Sequence, residues 1–193
     1  MNAKQFSNLA LTGLATIVLG AIGSGIALGQ SSINLSTIRN TAQSKHNAYR
    51  ATHHSAKLTL ARSLNTTAQS WAEYLATNAL FEHSSPDQRN NAGENLYVYY
   101  TTGSSISTTT LANQTVKAWY DEVKYYDYNN PGFSSQTGHF TQVVWKSTTQ
   151  LGCGAAQGKA TLNGTAYNAF YVVCHYAPAG NFTGQFPQNV LKP

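Results

Sequence analysis

The spacing of apolar residues changes along this chain, and that change limits most strongly the folds it can adopt. In the last third, apolar and polar residues alternate, as expected for β-strands. In the first two thirds, apolar residues recur at helical spacing, and the clearest stripe consists of Leu64, Ala68, Trp71, Ala72, Leu75 and Ala79. Helices followed by consecutive strands predict an α+β domain, with helices packed on an antiparallel sheet.

The stretch GHFTQVVWKSTTQLGCG, residues 138–154, is predicted to open the β region. Read with period two, His139 shares a face with Val143 and Trp145. A histidine in such a place is commonly a hydrogen-bonded core residue, so a function for His139 requires partners from elsewhere in the chain. The predicted helices cover about 37–54, 64–81 and 106–126, and the predicted strands about 139–146, 151–157 and 166–176, with Asn163-Gly164 as a turn.

Residues 1–29 have the composition of a secretory signal peptide. A single lysine precedes a charge-free apolar run that ends in Ala-Leu-Gly at 27–29. We predict cleavage before Gln30, a short polar lead-in over 30–40 and the folded domain over 41–193. The alternative is an uncleaved anchor, because about 20 apolar residues nearly suffice to cross a membrane. Cleavage predicts an exported protein that keeps no stable membrane anchor.

Export bears directly on the two cysteines, Cys153 and Cys174, each of which lies in a strand-like stretch. In an oxidising compartment an isolated pair is predicted to form a disulfide, and two buried free thiols are the alternative.

Charged residues make up only 10% of the chain, and the net charge of +5 is not concentrated in a run of Lys and Arg. Nucleic-acid binding is therefore not expected.

Two histidines and two glutamates are candidate functional residues. Glu94 follows a glycine in AGENLY, and His83 leads the same loop. Glu122 is predicted at the flank of the third helix's apolar stripe, where a carboxylate can face a cleft. Together with His139, these groups would suit a zinc-type divalent ion or acid/base chemistry. The alternative is that they are unrelated: a surface histidine, a capping glutamate and a solvated glutamate.

Five stretches resemble the motifs of the CAP superfamily, which includes cysteine-rich secretory proteins, antigen-five allergens and pathogenesis-related plant proteins. GHFTQVVW at 138–145 and YVVCHYAPAGN at 171–181 are similar to its two signature motifs. Three supporting stretches precede them in the family's order: HNAYRATH, HSSPDQRNNAGENLY and VKAWYDEVKYYDY. The resemblance extends over about residues 40–190, which is nearly all of the predicted mature chain.

The resemblance implies a three-layer α-β-α sandwich, with a small antiparallel sheet between helices, in agreement with the periodicity. It also implies a cleft in which His139 stands beside Glu122 and opposite His83 and Glu94. Many members carry more cysteines, and some carry an additional cysteine-rich domain. With two cysteines, this chain resembles a minimal single-domain member of bacterial or fungal type, so we expect none of the roles of the additional domain.

The leading hypothesis for function is a secreted, non-enzymatic binding module whose cleft holds a divalent cation such as Zn²⁺, and which also binds a sterol or fatty acid. The competing hypothesis is a metal-assisted extracellular hydrolase, with His83 and His139 as ligands and Glu94 or Glu122 as general base. The sequence singles out no nucleophile or oxyanion stabiliser, so no catalytic residue is assigned. A structural envelope protein is a third hypothesis. We expect a monomer or a weak dimer.

The loop KYYDYNNPGF is the expected lipid contact. Tyr125, Tyr128 and Phe133 are predicted to line an apolar groove that is separate from the histidine–glutamate cleft. The alternative is that these rings pack the loop onto the core, which we expect of Tyr126.

Overall fold

The computed structural model describes residues 33–193. The predicted signal peptide at 1–29 and the first residues of the lead-in lie outside the described residues. In chain order the elements are α1 (Leu35–Thr52), β1 (Thr59–Leu60), α2 (Arg62–Asn78), β2 (Gly93–Thr101), α3 (Thr108–Tyr120), a 3₁₀ helix (Asp121–Tyr125), α4 (Gly138–Val144), β3 (Gln150–Leu162), β4 (Thr165–Ala177) and α5 (Phe186–Asn189).

The four strands form one sheet in the order β1-β3-β4-β2. The pairs β3–β4 and β4–β2 are antiparallel, and only the two-residue β1 runs parallel to its neighbour. The predicted hairpin turn is confirmed, since Asn163 and Gly164 both have positive φ, as a tight two-residue turn requires. Cys153 and Cys174 lie directly opposite each other on β3 and β4 and form the predicted disulfide.

Helices cover both faces of this sheet, and the alternation of β4 divides the core between them. Tyr171 and Val173 pack with α2 on one face. Val172 and Cys174 point the other way and pack with α1, α3 and α4. The predicted α-β-α sandwich is therefore the observed architecture.

Helix α2 lies directly against β3 because the strand presents glycines there. A Cβ atom on Gly154 would collide with the backbone of Gln69, so only glycine permits this approach. The same closeness lets side-chain amides replace a missing strand neighbour. The amides of Cys153 and Ala155 donate to Asn65 Oδ1 and Gln69 Oε1 at 2.9 and 3.0 Å. This part of the β3 edge is thereby satisfied without another strand.

The prediction of a strand at about 139–146 is wrong, because residues 138–144 form helix α4. Phe140, Val143 and Val144 are fully buried, and their spacing of three and four residues is helical. A short apolar run is compatible with either period, so its tertiary contacts decide the conformation.

Buried Arg50 on α1 secures the end of α4. Its guanidinium donates to the carbonyl oxygens of Val143, Trp145 and Thr148 at 3.1, 2.8 and 2.8 Å. Burial of the charge lowers the pKa of Arg50 to about 10. These hydrogen bonds pair the buried guanidinium with backbone carbonyls, with no carboxylate among the three acceptors. By holding the last turn of α4, Arg50 helps to fix the helix that carries His139 in its first turn.

Candidate functional site

The four predicted site residues form two histidine–glutamate pairs. In the first pair, His83 Nδ1 lies 2.7 Å from Glu94 Oε1. In the second pair, His139 Nδ1 lies 2.6 Å from Glu122 Oε1. The placement of His139 beside Glu122 agrees with the arrangement that the resemblance implies.

The carboxylate of the first pair is buried and fully hydrogen-bonded. Glu94 is the second residue of β2, and its side chain is 1% exposed. Oε1 accepts from His83 and from the amide of Ser84 at 3.0 Å. Oε2 accepts from the Ser84 hydroxyl at 2.7 Å and from His175 Nε2 at 2.9 Å. Burial alone would raise the pKa of Glu94, but the hydrogen bonds from His175 and His83 and their charge lower it to about 2.

The buried guanidinium of Arg89 supports the loop that joins α2 to β2. Buried Arg89 has Nη1 at 4.0 Å from Glu94 Oε1, and it donates to the carbonyl oxygens of Ser84 and Ala92. Burial lowers the pKa of Arg89, and the nearby carboxylate of Glu94 acts against that shift. Arg89 thus ties the end of the loop at Ala92 to Ser84, the residue after His83.

The second pair is built around backbone amides. Glu122 lies in the 3₁₀ helix after α3, and its Oε2 accepts from the amides of His139 and Phe140 at 2.9 and 3.1 Å. These amides belong to the first turn of α4, where no intrahelical acceptor is available to them. The ring of His139 stacks on Trp119 with 6.3 Å between centroids. Glu122 therefore fixes both the start of α4 and the imidazole that it carries.

The hydrogen bonds define which ring nitrogen of each histidine is available. A carboxylate can only accept, so Nδ1 of His83 and of His139 carries the proton in each neutral ring. Nε2 is then the atom with a free lone pair. The side chains of His83 and His139 are 58% and 30% exposed, so both rings reach the surface.

The two pairs approach the end of the sheet from its opposite faces. Glu94 shares the α2 face with His175, its register partner on β4. The next residue, Asn95, points to the other face, where its amide donates to His139 O at 3.2 Å and to Tyr176 Oη at 3.1 Å. The beginning of β2 thus contacts both pairs, through Glu94 in the first and through Asn95 next to His139 in the second. In the part of the chain from residue 33 onward, no three His, Cys, Asp or Glu side chains are grouped to hold a metal ion.

The aromatic loop between α3 and α4 is partly exposed. Tyr125 and Phe133 are 59% and 45% exposed, and Tyr128 is half-buried with its hydroxyl inside. Tyr126 is buried against Phe140, as predicted. The ring of Phe133 lies against Gly138, next to His139, so the loop borders the second pair more closely than the prediction of separate sites assumed.

Sequence reasoning missed His175 and Ser84. His175 was visible as a polar residue in an apolar strand, and period two places it on the opposite face from Cys174 and Tyr176. Ser84 offered no comparable signal, because its contact with Glu94 uses a loop backbone amide as well as the hydroxyl.

Comparisons with known proteins agree with this fold and these motifs. The family model described as "CAP: Cysteine-rich secretory protein family" matches residues 43–176. The chain belongs to the CAP family. The human Golgi-associated plant pathogenesis-related protein 1 is 38% identical over 158 residues, which span 80% of this chain and 92% of the human protein.

Two further similarities differ in how much of each protein they cover. The secreted protein RBT4 of Candida albicans is 37% identical over 160 residues, but these span 77% of this chain and only 39% of RBT4. The solved structure of BmVAL-1 covers 81% of this chain and 84% of its own, with a TM-score of 0.64 and 26% identity.

Proposed function

We propose that this protein is a secreted, non-enzymatic binding module whose cleft holds a divalent cation, Zn²⁺ being the best fit, through His83 and His139. The observation that carries this proposal is the hydrogen bond from each Nδ1 to a glutamate, which leaves Nε2 as the free donor atom. Histidines that bind zinc commonly use one ring nitrogen for the metal and the other for a carboxylate.

The donor set fits a zinc-type ion better than Mg²⁺ or Ca²⁺. Imidazole nitrogen suits zinc, whereas the two hard cations prefer several carboxylate or carbonyl oxygens. Both glutamates already accept three or four protein hydrogen bonds, so they support the histidines and do not offer free ligand atoms. The two histidines would supply two ligands, and water or a bound partner would supply the others.

The same contacts weigh against the competing hydrolase. A general base needs a proton affinity near the working pH and access to the proton it removes. Glu94 has neither, since it is 1% exposed, its pKa is about 2 and four donors occupy its oxygens. Glu122 uses one oxygen for two backbone amides and the other for His139.

Secretion is supported by the N-terminal composition, by the disulfide and by one relative. Disulfides are typical of exported proteins. The Candida relative is named a secreted protein, whereas the human relative is named Golgi-associated. None of the helices described from residue 33 onward is both long and apolar enough to cross a membrane. N-terminal sequencing of the exported protein tests this part of the proposal, and a chain that begins near Gln30 is expected.

A sterol or fatty acid is a second candidate ligand, and the exposed rings of Tyr125 and Phe133 favour it. Exposed aromatic rings on one loop are common in recognition sites for apolar molecules. Tyr128 would support such a site from the core side of the loop, because its ring packs edge-on against buried Tyr126 at 4.9 Å between centroids.

Isothermal titration calorimetry with zinc chloride tests the cation site. We expect binding near neutral pH, weaker binding after His83→Ala or His139→Ala, and none in the double variant. Affinity should fall as the pH is lowered, because protons compete with the metal for imidazole. The matched control is His54→Asn, since His54 is exposed and its positive φ is tolerated by asparagine. Equal binding by the double variant and the unchanged protein would contradict the proposal.

A further inference from the structure

We infer that His175 is a positioning residue, which holds Glu94 in the one orientation that fixes the ring of His83. The inference rests on the proposed cation site for its functional meaning, but the geometry it concerns can be measured without any metal.

The contacts form a continuous chain from helix α2 to the surface. Thr67 Oγ1 lies 2.8 Å from His175 Nδ1, and His175 Nε2 lies 2.9 Å from Glu94 Oε2. Glu94 Oε1 then contacts His83 Nδ1 at 2.7 Å. His175 is fully buried, and His83 at the outer end is more than half exposed.

His175 is the donor to Glu94 that the sheet itself supplies. The other three donors come from His83 and Ser84, which are neighbours in one loop. Strand pairing sets His175 directly opposite Glu94, so its position does not depend on that loop. If His175 lost its hydrogen bond, only the loop residues His83 and Ser84 would orient the carboxylate.

The ring of His175 is itself held from the other side. Nε2 donates in this contact, because a carboxylate oxygen is its partner and accepts. Thr67, on α2, contacts the remaining nitrogen and prevents the ring from turning away. A side chain that is oriented at both ends is what a positioning role requires.

The second pair provides an internal control. Among the described hydrogen bonds, Glu122 is held by backbone amides and by His139, with no third side chain behind it. A change at His175 should therefore alter the ring of His83 and leave the ring of His139 as it was. A general loss of structure would alter both.

NMR spectra that correlate ring protons with ring nitrogens report the tautomer of each histidine. In the unchanged protein at neutral pH, we expect His83 and His139 both as the Nδ1-protonated tautomer. In His175→Phe, His83 should show the mixture of tautomers of a free imidazole, with His139 unchanged. His175→Gln, which restores a donor, should return His83 toward its original spectrum. Zinc affinity should fall about tenfold in the Phe variant and recover by more than half of that loss on a logarithmic scale in the Gln variant.

Two results would overturn the inference: a His83 spectrum that is unchanged in His175→Phe, or equal changes in both histidines of a folded variant. If His175→Phe does not fold, Thr67→Val tests the same chain more gently, and it must shift His83 in the same direction without moving His139. The proposed function can fail separately. A protein that binds no zinc but shows the expected spectra refutes the cation site and retains the positioning role.

Discussion

The two histidine–glutamate pairs use the same residue types but are constructed differently. In the first pair the glutamate is buried and its acceptor sites are filled mainly by side chains, while the histidine is 58% exposed. In the second pair the glutamate is 20% exposed and rests on two backbone amides, while the histidine is 30% exposed and stacks on Trp119.

This difference implies that the two pairs contribute unequally to the stability of the fold. A buried carboxylate is stable only if every donor is present, because an unmatched charge in the interior is costly. A partly exposed carboxylate, such as that of Glu122, can recruit water when a donor is lost. We therefore expect the first pair to contribute more to folding and to respond more sharply to substitution.

The largest expected effect comes from replacing the buried acid. Glu94→Gln should lower the free energy of unfolding by about 3 kcal/mol, because a neutral amide turns two acceptor sites into donors that face other donors. Glu122→Gln should cost about 1 kcal/mol, since its environment admits water. Urea denaturation measures both, and exposed Glu82 supplies a control, with Glu82→Gln within about 0.5 kcal/mol of the unchanged protein. Equal costs at the two site glutamates would remove the distinction between the pairs.

Lowering the pH is expected to reduce the free energy of unfolding by a comparable amount. The pKa of Glu94 in the folded protein is about 2, below its ordinary 4.5, so folding favours the ionised form. This contribution is complete above pH 4.5 and is lost as the pH falls toward 2. Over that window the unchanged protein should lose about 3 kcal/mol more stability than Glu94→Gln.

Urea denaturation at several pH values measures this loss for both proteins. An earlier loss should be common to both, because burial lowers the pKa of His46 to about 4 from 6.5, and its stabilisation declines between those two values. Parallel stability curves below pH 4.5 would contradict the role assigned to Glu94.

An intermediate effect isolates a single donor of the first pair. Ser84→Ala removes the 2.7 Å hydrogen bond to Glu94 Oε2 but keeps the backbone amide that reaches Oε1. The loss should be about 1 kcal/mol at neutral pH, and the further loss of stability below pH 4.5 should be smaller than in the unchanged protein, because the pKa of Glu94 in the folded state rises. Thermal unfolding at two pH values measures both. No change at either pH would mean that the carboxylate has more donors than it needs.

The smallest effect on stability is expected at the rim of the second pair. Phe133→Ser should change the free energy of unfolding by less than about 0.5 kcal/mol, because its ring is 45% exposed. It should nevertheless weaken sterol or fatty-acid binding by about 1 kcal/mol, as measured by displacement of a fluorescent lipid, and Tyr128→Ser should do the same. The control is Tyr74→Ser, an equally exposed ring on α2.

These lipid measurements also show how separate the two sites are. His83→Ala should leave lipid binding nearly intact, since its pair lies on the other face of the sheet. If His139→Ala weakens lipid binding while His83→Ala does not, the aromatic loop and the second pair form one site. Absence of lipid binding by the unchanged protein would remove the loop from the proposal.

Local pattern predicted most of the elements, because each is long enough for its period to be unambiguous. The stripe of α2 and the alternation of β4 extend over many residues, and Asn163-Gly164 marks the turn by its own backbone preference. The disulfide between Cys153 and Cys174 could also be predicted, because the chain has two cysteines and was expected to be exported to an oxidising compartment. Segment 138–144 was misread because its seven residues satisfy both the helical and the strand period. The contacts of Arg50 with the carbonyl oxygens at the end of this helix are tertiary, and no local pattern predicts them.

The candidate site divides in the same way. The sequence by itself, through its resemblance to a family, predicted which two histidines and two glutamates form the candidate site. Only the tertiary structure decided how each pair is held: His175 reaches Glu94 across a strand register 81 positions away in sequence, and Glu122 meets the amides of a helix 17 and 18 positions further on. The physical reason is that hydrogen-bond donors from the backbone have no sequence signature, and those from side chains act only after the sheet has set their partners opposite them.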